Sequence, residues 1–230
     1  MTKPIQFLAS VTLLMSSHGL AQQKSVASIP FAVASVHFEQ NATDKDVEVV
    51  FEVAGGAKGI AKLTVVSPDG RTVIDFTAPD ASTLGIRSFR FESPEPSDVA
   101  SLKAAYPEGV YVFSGATVTG DKLSGKSTLS HALPATTSFV HPKEEAEGVG
   151  PNDLAITWAP VQNLAAYIIT IEQEEMNVSL EARLPGSATQ FTLPDGFLLP
   201  ETEYQLGIGT VTAEGNTSFI ETSFTTAGKE

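Results

Sequence analysis

The stretch Gly120-Asp121-Lys122-Leu123-Ser124-Gly125-Lys126-Ser127 satisfies the phosphate-cradling pattern G-x-x-x-x-G-K-[ST] letter for letter. In that motif backbone amides and the lysine hold phosphates, and the following helix N-terminus adds positive potential. The context here denies that chemistry. Thr128-Leu129-Ser130-His131-Ala132-Leu133 leaves only a few residues before Pro134, too few for a helix. Residues 110–118 and 127–133 read instead as two strands joined by a glycine-rich turn.

The other groups that could do chemistry are histidines and carboxylates. His18, His37, His131 and His141 show no H-x-x-x-H or H-E-x-x-H spacing, so zinc is unsupported. His131 alternates with Leu129 and Leu133, which implies packing at a strand end. A functional role would need a carboxylate beside it, such as Glu92 or Glu95. There is no G-x-S-x-G elbow, and with Cys 0 a thiol nucleophile is impossible. A glycosidase-type acid pair needs one carboxyl whose pKa is raised by burial, and nothing in the sequence marks one. Asn41-Ala42-Thr43-Asp44-Lys45-Asp46, with Glu48 beyond, offers hard oxygens suited to calcium. It lacks the glycine and distal glutamate of a calcium loop and reads as a polar turn into a strand. Glu172-Gln173-Glu174-Glu175 could meet a cation or a basic partner, or be a solvated connection between strands. Asn41, Asn177 and Asn216 head N-x-[ST] triplets, which matter only in a glycosylating host. No catalytic, cofactor-binding or metal-ligating residue is assigned, and no cofactor is expected. The candidates for a functional surface are His131, Glu92, Glu95, Glu172, Glu174 and Glu175.

Short alternating runs must position these residues. In Asp46–Val53, Val47, Val49, Phe51 and Val53 fall on one face, with Glu48 and Glu52 on the other. Residues 62–66, the turn Ser67-Pro68-Asp69-Gly70 and residues 72–76 predict a hairpin, since Asp-Gly tolerates positive φ. One helix is expected after Ser97, with Val99, Leu102 and Tyr106 on one face, stopped by Pro107 and Gly109. From residue 153 onward strands and turns recur every 8–15 residues, as in a small sandwich.

Composition sets the compartment and the class of partner. The chain has 230 residues, 42% of them hydrophobic, with a net charge of -13, which argues against nucleic acid as a ligand. Residues 1–21 read as a secretory signal: Lys3 is the positive end, residues 5–15 are apolar, and Gly19-Leu20-Ala21 offers a cleavage site. No later apolar run of about 18 residues predicts a membrane span. Residues 22–141 carry 13 acids and 10 bases, net -3, whereas residues 142–230 carry 14 acids and 3 bases, net -11. The shift falls beside Pro142-Lys143-Glu144-Glu145-Ala146-Glu147-Gly148, a stretch suited to a boundary.

Residues 151–226 resemble a fibronectin type III domain. The matching features are Leu154-Ala155-Ile156-Thr157-Trp158-Ala159-Pro160, then Ala166-Tyr167-Ile168-Ile169-Thr170-Ile171. Leu199-Pro200-Glu201-Thr202-Glu203-Tyr204, followed by Leu206, Ile208 and Gly209, resembles the family's corner and next strand. Gly215-Asn216-Thr217-Ser218 suits its last turn. The resemblance implies seven strands in two sheets, with Trp158 and Tyr204 as core or corner residues. The first segment looks like an immunoglobulin-like sandwich with one short helix. The whole chain resembles bacterial secreted proteins that carry one fibronectin type III domain, a likeness that supplies no activity.

The expectation is an all-β protein of two β-sandwich domains. It comprises a signal peptide over 1–21, an immunoglobulin-like sandwich over 28–141, a linker and first-strand start over 142–150, and a fibronectin type III domain over 151–227. A secreted, non-enzymatic binding or adhesion-type protein follows, periplasmic or extracellular, acting on a protein or glycan partner. The alternatives are a carbohydrate- or enzyme-associated accessory module, and a hydrolase in the first domain. The export reading is tested by N-terminal sequencing of protein from its native host. The mature chain should begin at or next to Gln22; retention of Met1 in a cytosolic fraction would overturn it.

Overall fold

The computed structural model describes residues 28–78, 84–95 and 98–228. The expected signal segment and Ser97 lie outside the described residues. The described chain is a layered all-β structure with one short helix, in three sheets. The first sheet takes, in spatial order, β1 (Ile29–Pro30), β8 (Lys122–Leu129), β7 (Gly109–Thr117), β4 (Ile60–Val66) and β5 (Thr72–Thr77). A long sheet takes β13 (Val178–Pro185), β12 (Ala166–Gln173), β15 (Glu203–Val211), β16 (Thr217–Thr226), β2 (Val33–Asn41), β3 (Asp46–Ala54) and β6 (Ser88–Glu92). In the same sheet β10 (Ala146–Val149) runs beside β16. The third sheet is β14 (Gln190–Thr192), β11 (Ala155–Trp158) and β9 (Phe139–His141).

Period-two alternation builds the first sandwich. Val47, Val49, Phe51 and Val53 of β3 turn inward with Val36 and Phe38 of β2, and all are buried. They meet Leu63 and Val65 of β4, Tyr111 and Phe113 of β7, and Leu123 and Leu129 of β8. The expected turn at Asp69-Gly70 is present: Gly70 has φ +85°, and its N–H donates to the Ser67 carbonyl at 2.9 Å. The phosphate-loop lookalike is the β7–β8 hairpin, with Gly120 in the turn at φ +85°. Its second glycine has a packing role, because a Cβ at Gly125 would stand 2.7 Å from the Ala34 Cβ where β2 passes over β8. The helix α1 (Val99–Ala105) is capped by Asp98, whose carboxylate accepts the Ser101 N–H at 2.7 Å. Asp98 therefore holds the capping position that the pattern put at Ser97, for which an Asp side chain is equally suited. Leu102 is buried and Tyr106 packs against the core, while Val99 is exposed.

The second sandwich sets the three short strands β14, β11 and β9 against β13, β12, β15 and β16, the seven strands in two sheets that the family resemblance implies. Trp158 is buried beside Tyr167, and its indole N–H donates to the Ala188 carbonyl at 3.1 Å. The Tyr204 hydroxyl accepts the Leu199 N–H at 2.9 Å and pins the corner before β15. Residues 139–149 enter this sandwich as β9 and β10, and Phe139 packs on its core.

The two sandwiches share the long sheet. β16 of the second pairs in parallel with β2 of the first, through Thr217↔Glu39, Ser218↔Gln40 and Phe219↔Asn41. Asn216, only 1% exposed, seals the seam. Its Oδ1 accepts the Phe38 N–H at 2.9 Å, and its Nδ2 donates to the Ser130 and Ala132 carbonyls at 2.8 and 2.9 Å. Thr210 and Ser218 hydroxyls donate to the Ala135 and Pro134 carbonyls, both at 2.9 Å, so the connecting chain is bound along its length. The register puts Phe38, Gln40 and Ser218 on one side of the sheet and Glu39, Asn41 and Phe219 on the other. Both smaller sheets therefore cover the same side, and among the described residues no further sheet covers the opposite side.

Asn216→Ala removes the acceptor for Phe38 N–H and strips two carbonyls of their donor. Buried polar groups left unpaired cost roughly 1–3 kcal/mol each. We expect Asn216→Ala to lower stability by about 3 kcal/mol in urea unfolding followed by Trp158 fluorescence. A loss below about 0.5 kcal/mol, ordinary for a surface site, would show that the seam is not held by this side chain.

Candidate functional site

A groove of about 920 Å³ crosses the open side of the long sheet. From the first sandwich it is lined by Glu39 of β2, Asp46 and Glu48 of β3, and Glu95. From the second come Glu172, Glu174, Glu175, Glu201, Glu203 and Glu221. Among the described residues the lining holds no lysine or arginine. Alternation explains the composition: the strand residues opposite the core must be polar, and here they are mostly acidic. The register brings them across the seam, with Glu39 opposite Glu48, Asp46 opposite Asn41, and Asn41 opposite Phe219. Asn41 Nδ2 donates to Glu221 Oε2 and to Asp44 Oδ2, each at 2.9 Å, joining the two halves of the floor. The β12–β13 turn that carries Glu174 and Glu175 is closed by Met176 N–H donating to Gln173 Oε1 at 2.8 Å, with Asn177 at φ +51°.

The carboxylates are unequally compensated. Arg90 of β6 is shared by Glu92, Glu39 and Glu52, at 2.5, 3.3 and 3.4 Å. Burial pushes the Glu39 pKa upward, but the His37 ring 3.7 Å away and Arg90 outweigh it and hold the group below the ordinary carboxylate range. Glu48 makes no ion pair among the described residues. Burial first, then repulsion from Glu92, Glu39 and Glu95, pushes its pKa up to about 7 against a partial offset from Arg90. The sequence marks no such raised carboxyl; the cause is the meeting of β2, β3 and β6. Glu39 and Glu48 therefore have acidities driven apart, the electrostatic half of an acid–base pair. Among the described residues the lining offers a sugar ring only Phe219 as an aromatic surface. No group of three His, Asp or Glu among the described residues is placed to hold a metal ion.

The six residues singled out from sequence divide between places. Glu95, Glu172, Glu174 and Glu175 line the groove. Glu92 lies opposite Val50 beyond it, bound to Arg90. His131 is elsewhere, beside the core, with its ring stacked on Phe38 at 4.6 Å and its Nε2 2.8 Å from the Tyr106 carbonyl. The carboxylate next to it is Glu108, which accepts the His131 backbone N–H at 2.6 Å, and not Glu92 or Glu95. Sequence reasoning left Glu39, Asp46, Glu48, Glu201, Glu203 and Glu221 out of the candidate surface. The outward alternation of those in strands was visible, but not the strand order that joins them. Asn216, head of an N-x-[ST] triplet, is buried in the seam and cannot carry a glycan in this fold.

No protein-family model matches the chain, and no curated protein matches it. Among solved structures it is similar to chicken CNTN1 FN1-FN3 domains, at 14% identity and a TM-score of 0.33, over 87% of this chain and 66% of that one. The chain thus spans just under two thirds of that structure's length. It is also similar to the fibronectin(III)-like modules of Clostridium thermocellum CbhA, at 10% identity and a TM-score of 0.36, over 86% of this chain and 92% of that one. A third is a two-fibronectin type-III domain segment from chicken tenascin, at 16% identity and a TM-score of 0.33, over 85% of this chain and 96% of that one.

The raised acidity constant of Glu48 fixes a sign. The folded state holds this proton up to about pH 7, whereas an unfolded glutamate releases it near 4.5. Its contribution to stability is therefore fully present below about pH 4.5 and is lost as pH rises toward 7. Glu48→Gln should raise the melting temperature at pH 8 and leave it nearly unchanged at pH 4.5. Equal effects at both pH values would show that Glu48 does not titrate this way.

Proposed function

We propose that the protein is an exported, non-enzymatic binding protein whose working surface is the acidic groove, and that the groove docks a lysine- or arginine-rich segment of a partner protein. The observation that carries this reading is the groove's composition: ten carboxylates from both sandwiches and, among the described residues, no lysine or arginine in the lining. A rigid, concave, one-sign surface focuses its potential and steers a cationic partner from solution. The chain also holds no helix among the described residues long and apolar enough to cross a membrane. A glycan partner is supported less, because the single tryptophan is buried in the second core. The hydrolase reading has one place to be tested, the Glu39–Glu48 pair, and Glu48→Gln should have no effect on any hydrolysis the protein preparation shows.

Titration with a fluorescent oligolysine peptide tests the main reading. Affinity should fall at least tenfold between about 50 and 300 mM salt, as the Debye length shortens from about 14 to 6 Å. Glu172→Gln, Glu203→Gln and Glu221→Gln together should weaken binding at least tenfold. An equal change of charge outside the groove, at Asp153, Asp195 and Glu214, should weaken it far less. Equal losses from the two triple variants, or binding indifferent to salt, would overturn the groove as the site.

A further inference from the structure

The outer face of the first sheet has the opposite character. Lys62 of β4 and Lys122 of β8 flank Ala116 of β7 in one cross-strand row. Two rows along the same face, past Thr64, Ser114 and Ser124, Val66, Val112 and Lys126 stand side by side. The three lysines are exposed and make no ion pair among the described residues, whereas Lys58 and Arg71 at the edges are bound to Asp121 and Asp69. On the same face Val112, beside Lys126, and Val110, one row beyond it, lie open to solvent, 41% and 45% exposed. Asp75, opposite Thr64, is the one acid of β4, β5, β7 and β8, and it lies toward the β5 edge, away from β8. Lys122 and Lys126 are the two lysines of the phosphate-loop lookalike, so the residues that imitate a nucleotide motif are in fact the cationic part of a flat sheet face.

This face and the groove lie on opposite sides of the first sandwich, because one is the outer face of its first sheet and the other the outer face of its second. A copy cannot satisfy its own groove with its own lysines. Two copies can, and the contact then leaves one groove and one lysine face free, the condition for a heterologous, propagating interface. We propose that the lysine-bearing face of the first sheet docks into the acidic groove of a second copy, so that copies associate back to front. The proposal rests on the reading of the groove as a surface for cations and names a second copy of this chain as one occupant. The exposed valines at the Lys126 end of the face supply an apolar contact next to the lysines. The net charge of -13 repels whole copies at long range, and salt near 0.1 M confines that repulsion to about 10 Å while leaving contact pairs in place.

Sedimentation velocity of the purified protein at about 0.1 M salt tests this. The wild type should show dimers and higher species that grow with concentration. Lys62→Gln, Lys122→Gln and Lys126→Gln together should shift association at least tenfold toward monomer. So should Glu172→Gln, Glu203→Gln and Glu221→Gln together, although that change lowers the net repulsion and would promote any unspecific clustering. An equimolar mixture of the two variants should form dimers and nothing larger, since each supplies one intact surface. A wild type that stays monomeric, variants that still form the ladder, or a mixture that forms no dimer would overturn the proposal. So would lysine-dependent binding of the monomer to vesicles of phosphatidylglycerol. If oligolysine still binds the groove of a monomeric wild type, the self-association falls and the groove's cation-binding function stands. If oligolysine does not bind, both fall.

Discussion

Three parallel backbone pairs between β16 and β2, sealed by one buried asparagine, hold both sandwiches in a single register. A primary amide suits this place because it offers an acceptor and two donors at once. The acceptor faces an amide of the first sandwich, and the donors face two carbonyls of the connecting chain. Aspartate would lack the donors, and an apolar residue would leave all three partners dry. Thr210 and Ser218 extend the same device along the connection. The polar residues buried here act as a seam between cores rather than as a flaw within one.

The groove exists because of that seam. Each sandwich alone would present only its own share of the carboxylates. Fusing the sheets sets Glu39 and Glu48 on the same floor as Glu172, Glu203 and Glu221. The accumulated repulsion is met unevenly, since Arg90 neutralises one corner and leaves Glu48 to shed its charge by holding a proton near neutrality. A surface that keeps so much like charge together, over a rigid sheet, costs stability that a purely structural role would not require. That is the physical basis for reading it as a place where something binds.

Local patterns made most of the strands legible. Val47, Val49, Phe51 and Val53 announced their buried face and Asp69-Gly70 its turn, whereas Trp158 and Tyr204 were expected as core or corner residues from the family resemblance alone. The false phosphate motif was also legible as a hairpin, because no helix could follow Ser127. The pairing of β16 with β2 was not legible, since it joins residues nearly 180 positions apart and depends on no local periodicity. Asn216 looked like part of a solvent-facing turn for the same reason: nothing in its neighbours announces the strand it meets. Four of the ten groove carboxylates were named, from the Glu172–Glu175 run and Glu95, and the other six waited on the strand order.

The parallel course of β2 and β16 has a mechanical consequence. A chain held upstream of β2 and downstream of β16 is gripped at opposite ends of two adjacent, like-directed strands. Tension then slides the strands past each other and loads their hydrogen bonds together, instead of opening them one at a time. The Asn216 amide lies at the start of β16, where it would resist the same sliding. The seam that aligns the two sandwiches is thus placed to carry load applied across them.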